Sequence, residues 1–114
     1  MPKNMPPPVL GEFEQMVMLA LLRLGPDAYG AAVCSEIEKR GGRGVSVSAV
    51  HTTLDRLEQK GLVKSRVGDP TPQRGGKRKR HYEMAASGIK ALQASYRSLR
   101  NMADGLEHVL GEPA

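Results

Sequence analysis

Apolar residues recur at helical spacing in four stretches of the chain, and between the third and fourth the pattern changes to alternation. From Val9 to Leu24, Phe13, Met16, Val17, Ala20, Leu21 and Leu24 follow the i, i+3, i+4 rule, while Met18, Leu19 and Leu22 widen the stripe to most of the circumference. A helix apolar nearly all round needs cover on more than one side. A chain of 114 residues has few other elements to give it, so the pattern predicts that a second copy does. Gly25-Pro26 ends this helix. The next begins at Asp27 or Ala28, has Tyr29, Ala32, Val33 and Ile37 on one face with Cys34 beside it, and stops at Arg40-Gly41-Gly42. Glycine there can take the left-handed conformation that closes a helix. Gly42 to Ser46 is a short link with room for a stub of strand, and Ser46 or Ser48 can cap a third helix. Along that helix Val50, Leu54 and Leu57 form a narrow inward stripe, with Val47 before it and Leu62 after.

Gly61 closes the third helix. Leu62–Val67 then alternates, with Val63, Ser65 and Val67 facing one way and Leu62, Lys64 and Arg66 the other, as in a strand. Gly68-Asp-Pro-Thr-Pro-Gln-Arg-Gly-Gly76 is a turn region that cannot be helical. The chain returns as a second strand, with Arg78, Arg80 and Tyr82 on one face and Lys77, Lys79 and His81 on the other. From Ala86 to Leu110 it is helical again. Ile89, Leu92, Tyr96, Leu99, Ala103, Leu106 and Leu110 fall at alternating steps of three and four, an a/d seam of about three heptads that suits helix-to-helix packing. That seam can meet the first helix of its own chain, the partner's, or both in a dimer whose terminal helices interlock. The proline-rich residues 1–8 read as a disordered leader, and 111–114 as a frayed tail.

Charge adds a partner to this outline. Lys39 to Tyr82 holds twelve Lys/Arg against three acids, a net +9, whereas the rest of the chain holds five against nine, a net −4. A polyanion is the expected partner of such a segment. The outward face of the third helix shows Ser48, Ala49, His51, Thr52, Thr53 and Arg56, small hydrogen-bonding residues and one cation. Such a face suits entry into a groove, and equally suits plain solvation. Arg74, Lys77, Arg78, Lys79 and Arg80 have no acid near them and form a denser run than a solvated hairpin tip requires; contact with phosphates accounts for it.

Other classes lose ground. His51, His81 and His108 are scattered without HExxH or CxxC, so no metal or other cofactor is expected, and neither GxSxG nor a phosphate-binding glycine loop is present. An enzyme is not expected. Cys34 is the lone cysteine and cannot form an internal disulfide; a small buried side chain is its expected role. No apolar run approaches the ~18 residues of a membrane span, and the N-terminus lacks the design of a signal peptide, so a cytoplasmic protein is expected.

The order helix, helix, helix, strand, basic loop, strand, helix is that of a winged helix-turn-helix domain. More specifically, the chain resembles the PadR family of bacterial transcriptional regulators, from Leu10 to about Leu106. The pieces that carry the likeness are Leu10-Gly-Glu-Phe-Glu, the Tyr29-Gly30 pair, Val50-His-Thr-Thr-Leu-Asp-Arg-Leu-Glu-Gln-Lys-Gly-Leu-Val63, and Gly75-Gly-Lys-Arg-Lys-Arg-His-Tyr-Glu-Met-Ala-Ala-Ser-Gly88. Two positions depart from it: the family usually has Tyr-Pro where this chain has His51-Thr52, and commonly a Thr where it has Ala85. The resemblance implies a mainly α fold with a small antiparallel β-hairpin, a DNA-binding domain over 9–84 and a dimerisation helix over 85–110. It implies a homodimer that binds an inverted repeat in double-stranded DNA, repression more often than activation, and a small apolar or aromatic inducer between subunits. Ser48, Ala49, His51, Thr52 and Arg56 would face the groove, and Lys64, Arg66, Arg74, Lys77, Arg78, Lys79 and Arg80 the phosphates. Phe13, Met16, Leu19, Leu92, Tyr96, Leu99 and Leu106 would join the subunits. The competing expectation is a winged-helix module that binds an acidic protein instead of DNA.

Overall fold

The computed structural model describes residues 8–68 and 79–111. Helix α1 (Glu12–Leu24) starts later than the apolar pattern does, because Gly11 is extended and serves as its N-cap. The Gly11 N–H donates to Glu14 Oε1 at 2.9 Å, which is half of a capping box; glycine has no side chain for the other half. A 3₁₀ turn (Gly25–Asp27) leads to α2 (Gly30–Gly41), closed by Gly42 in the left-handed conformation at φ 72°. Helix α3 (Val47–Gln59) is capped by Ser46, whose Oγ accepts the Ala49 N–H at 3.0 Å. Losing that cap costs ~1 kcal/mol. The link between α2 and α3 forms no strand. Instead the Val45 carbonyl accepts the buried Cys34 thiol at 3.1 Å, which fastens the link to α2.

Strands β1 (Val63–Val67) and β2 (Arg80–Met84) pair antiparallel, with Val63 opposite Met84 and Ser65 opposite Tyr82. The alternation expected for β1 holds at Val63, which is buried, and fades at Val67, which is exposed near the loop. The other edge of β2 is partly covered too: Tyr29 bridges to His81, and the Tyr82 N–H donates to the Ala28 carbonyl at 2.8 Å. A one-residue pairing leaves no periodicity in a sequence, which is why the pattern does not announce it. Residues 1–7, 69–78 and 112–114, where most of the expected leader, turn region and tail and the start of the expected second strand at Lys77 and Arg78 fall, lie outside the described residues.

The core gathers Val17, Met18 and Leu21 of α1, Val33 and Ile37 of α2, Val50, Leu54 and Leu57 of α3, and Val63 and Tyr82 of the hairpin. Each such side chain contributes roughly 1.5–3 kcal/mol when buried. Two expectations are corrected by it. Thr53, assigned to the outward face of α3, is only 5% exposed, because the inward stripe takes in positions 50, 53, 54 and 57. Leu92, assigned to the subunit interface, is 6% exposed and belongs to the core of its own chain. Phe13 and Met16 are partly buried against the same core.

Helix α4 (Ala86–Ala103) begins without a side-chain cap at Ala85 and does not run to Leu110. The chain breaks at Asp104-Gly105, with Gly105 at φ 86°, before a short α5 (Glu107–Leu110). The seam is therefore bent where a non-glycine residue would oppose the turn. Leu19 and Leu22 of α1, Tyr96, Leu99 and Met102 of α4, and Leu106, Val109 and Leu110 beyond the break remain exposed. Among the described residues no helix is long and apolar enough to cross a membrane.

A buried charge ties α1 to the end of α3. Glu14 is 8% exposed, and its second oxygen lies 2.9 Å from Lys60 Nζ. Burial alone would raise its pKa, but the Gly11 N–H and the Lys60 ammonium outweigh that and hold it below the ordinary value of 4.5. A depressed carboxylate adds stability that is full above the unfolded pKa and is lost as pH falls through the folded one. Wild-type protein should therefore lose melting temperature as pH drops below about 4.5, and Glu14→Gln should be about 2 kcal/mol less stable at pH 7 while losing less on acidification. Parallel losses in both proteins down to pH 3 would remove Glu14 from this role.

Candidate nucleic-acid interface

On α3 the side chains of Ser48, Ala49, His51, Thr52 and Arg56 all reach solvent. The short stripe that buries the opposite side fixes this face outward, and Ser46 fixes where the helix starts. His51 also rests on α2: a methyl group at Gly30 would overlap its imidazole ring. Gly30 thus lets α3 approach the start of α2 closely enough to carry His51 across the junction.

The hairpin offers cations on both faces. Lys64 and Arg66 of β1 stand opposite Glu83 and His81 of β2 on one face. Arg66 Nη2 donates to the Pro26 carbonyl at 3.2 Å, and the Lys79 ammonium stands 4.1 Å from the centroid of the Tyr29 ring. On the other face Arg80 Nη1 donates to Ser65 Oγ at 3.0 Å, and the Ser65 hydroxyl donates to Glu58 Oε2 at 2.6 Å. Glu58 lies in the last turn of α3, so this chain of hydrogen bonds sets the spacing between helix and hairpin. Arg80, Lys79, Arg66 and Lys64 remain exposed. Arg74, Lys77 and Arg78 lie outside the described residues.

The contacts of several residues here carry no signal in the sequence. Lys60 is engaged by Glu14, and Arg43, in the link before α3, lies 2.9 Å from Glu12 and 2.8 Å from the sulfur of Met16. Tyr29 reads in the sequence as one more inward residue of the second helix. It is instead the N-cap of α2, half-buried, with its ring edge-to-face against His81 at 5.9 Å between centroids. Burial, with Glu38 nearby, pushes the Cys34 thiol up from its ordinary range. Among the described residues no three His, Cys, Asp or Glu side chains gather in a way that could hold a metal.

A polar helix face beside a cation-bearing hairpin, held at one separation, can touch base edges and backbone phosphates together. The model of the transcriptional regulator PadR-like family matches residues 18–94. Solved structures share the fold at low identity. A PadR-like transcriptional regulator from Bacillus cereus is 16% identical with a TM-score of 0.69, over 89% of this chain and 93% of that one. A PadR-like transcription factor from Bacteroides fragilis is 21% identical with a TM-score of 0.70, over 85% and 88%. A PadR family transcription regulator from Clostridium difficile is 20% identical with a TM-score of 0.69, over 87% and 99%. No curated protein sequence matches the chain.

Proposed function

The chain belongs to the PadR-like family of DNA-binding transcriptional regulators, and we propose that it acts as a homodimeric repressor on an inverted-repeat operator. In this reading each subunit lays α3 in the major groove, with Ser48, Ala49, His51, Thr52 and Arg56 toward the base edges. The hairpin follows the backbone with Lys64, Arg66, Lys79 and Arg80, joined by Arg74, Lys77 and Arg78. The observation that carries the reading is the chain of hydrogen bonds Arg80–Ser65–Glu58, which links a hairpin cation to the last turn of α3.

Support for the dimer comes from the apolar side chains left in solvent on α1, α4 and α5, Leu19, Tyr96, Leu99 and Leu106 among them. Apolar side chains gathered on neighbouring helices mark an interaction surface when they form one patch. Two-fold pairing through these helices would place two α3 helices on half-sites ~10 bp apart or a multiple of that. Occupying a promoter in this way blocks transcription. A groove of ≈ 300 Å³ between α1 and α4, lined by Leu19, Leu22, Ile89 and Tyr96, could receive a small apolar or aromatic inducer that alters the angle between the two reading helices.

Selection of binding sites from a random duplex pool tests the proposal, and a symmetric site is the expected product. Retention of every duplex alike, lost at modest salt, would leave only charge attraction. No retention at all would favour the protein-binding module. Against the selected site, Arg56→Ala should cost about 1–3 kcal/mol and relax preference at one position in each half-site. An unchanged preference, read by repeating the selection with the variant, would remove Arg56 from base readout.

A further inference from the structure

The connection between α1 and α2 does more than change the chain's direction. Ala28 and Tyr29 lie along the free edge of β2, so Arg66, His81 and Tyr29 form one row across three adjacent segments. Two cations of the hairpin are held by this connection. The Pro26 carbonyl accepts from Arg66, and the face of Tyr29 receives the Lys79 ammonium. His81 fills the space between. Its ring is edge-on to Tyr29 and lies against Gly68, where a methyl group would come within 2.9 Å of it. The Gly68 N–H donates to the Lys79 carbonyl at 2.8 Å, so the backbone that carries Lys79 is pinned as well.

We propose that Tyr29 is a positioning residue for DNA binding, its ring holding the Lys79 ammonium just beyond the Val67–Arg80 end of the hairpin, where a backbone phosphate passes. The proposal rests on the DNA-binding role assigned to the hairpin and adds a residue that touches no DNA itself. A free lysine side chain gives up considerable rotamer freedom on meeting a phosphate. A ring that already holds the chain on one side lowers that loss, and an ammonium with three N–H donors keeps two for the phosphate. The ring is what matters, not the hydroxyl. Tyr29→Phe keeps the ring and should bind as wild type does.

The test compares Tyr29→Phe, Tyr29→Leu, Lys79→Ala and the Tyr29→Leu/Lys79→Ala pair on one duplex across a salt series. Thermal melting confirms that each variant is folded. Tyr29→Leu is expected to lose about threefold in affinity per hairpin, roughly tenfold for a dimer, and its salt slope should flatten toward that of Lys79→Ala. In the Lys79→Ala background the Leu substitution should change nothing further, because Tyr29 acts through Lys79. Equal losses in both backgrounds would overturn the proposal, as would a Phe variant as weak as the Leu variant. Wild-type protein that binds no duplex would instead sink the DNA-binding reading of the hairpin and this proposal with it.

Discussion

Leu99→Glu is expected to give a folded monomer that has lost affinity for a two-half-site operator on the order of a thousandfold. Leu99 is 66% exposed on α4 and takes no part in the core of its own chain, so the subunit keeps its packing. Glutamate is also a good helix former, so α4 itself is not weakened. In a symmetric dimer each copy presents the same patch, and one substitution places a carboxylate on both sides of the contact. Desolvating those charges costs several kcal/mol, more than a contact built from a few aliphatic side chains returns. A single subunit then offers one α3 and one hairpin, and loses the gain from linking two reading units. Sedimentation would report the mass, and titration with the operator the affinity. A variant that remains dimeric with wild-type affinity would move the interface away from α4.

Gly88→Ala is expected to cost at least about 3 kcal/mol and to lower the melting temperature by roughly 10–20 °C. An alanine in a helix interior ordinarily adds about 1 kcal/mol over glycine. Here the sign reverses. A methyl group at position 88 would overlap the Leu62 carbonyl oxygen and lie 3.3 Å from the Met84 methyl group. That carbonyl already accepts the Ala85 N–H at 3.0 Å, and one residue earlier the Gly61 carbonyl accepts the Ser87 hydroxyl at 2.6 Å. Backbone on both sides of the contact is therefore fixed and cannot retreat. Gly61 and Leu62 join α3 to β1, so a displaced α4 would also shift the hairpin against the reading helix. Calorimetry on the variant decides the matter: unchanged or increased stability would mean that α4 does not seat on this junction.

Both predictions depend on how α4 relates to the rest of the chain, and this is where the sequence is least legible. Its seam of Ile89, Leu92, Tyr96, Leu99, Ala103 and Leu106 looks continuous, yet the side chains serve different ends. Leu92 fills its own core, while Tyr96 and Leu99 are left to solvent. Periodicity reports that a face is apolar, not what lies against it. The break at Gly105 is hidden for a similar reason, since a glycine within a periodic stretch is compatible with a continuous helix until the backbone angle is known. Thr53 shows the converse, a polar residue drawn into the core because its neighbours at 50, 54 and 57 carry it there.

What the sequence determined alone was the order of the three helices, the two strands and the start of the last helix, the stops at Gly25 and Gly42, a serine cap before α3, and the concentration of positive charge between Lys39 and Tyr82. Those features depend on residues within a turn or two of each other, and their effects on the backbone add locally. The tertiary structure decided the contacts that set the interface: Glu14 with Lys60 across 46 positions, Arg66 with Pro26, Lys79 with Tyr29, and Ser65 between Arg80 and Glu58. A charge or a ring carries no sign of its partner until the core has set the distance between them.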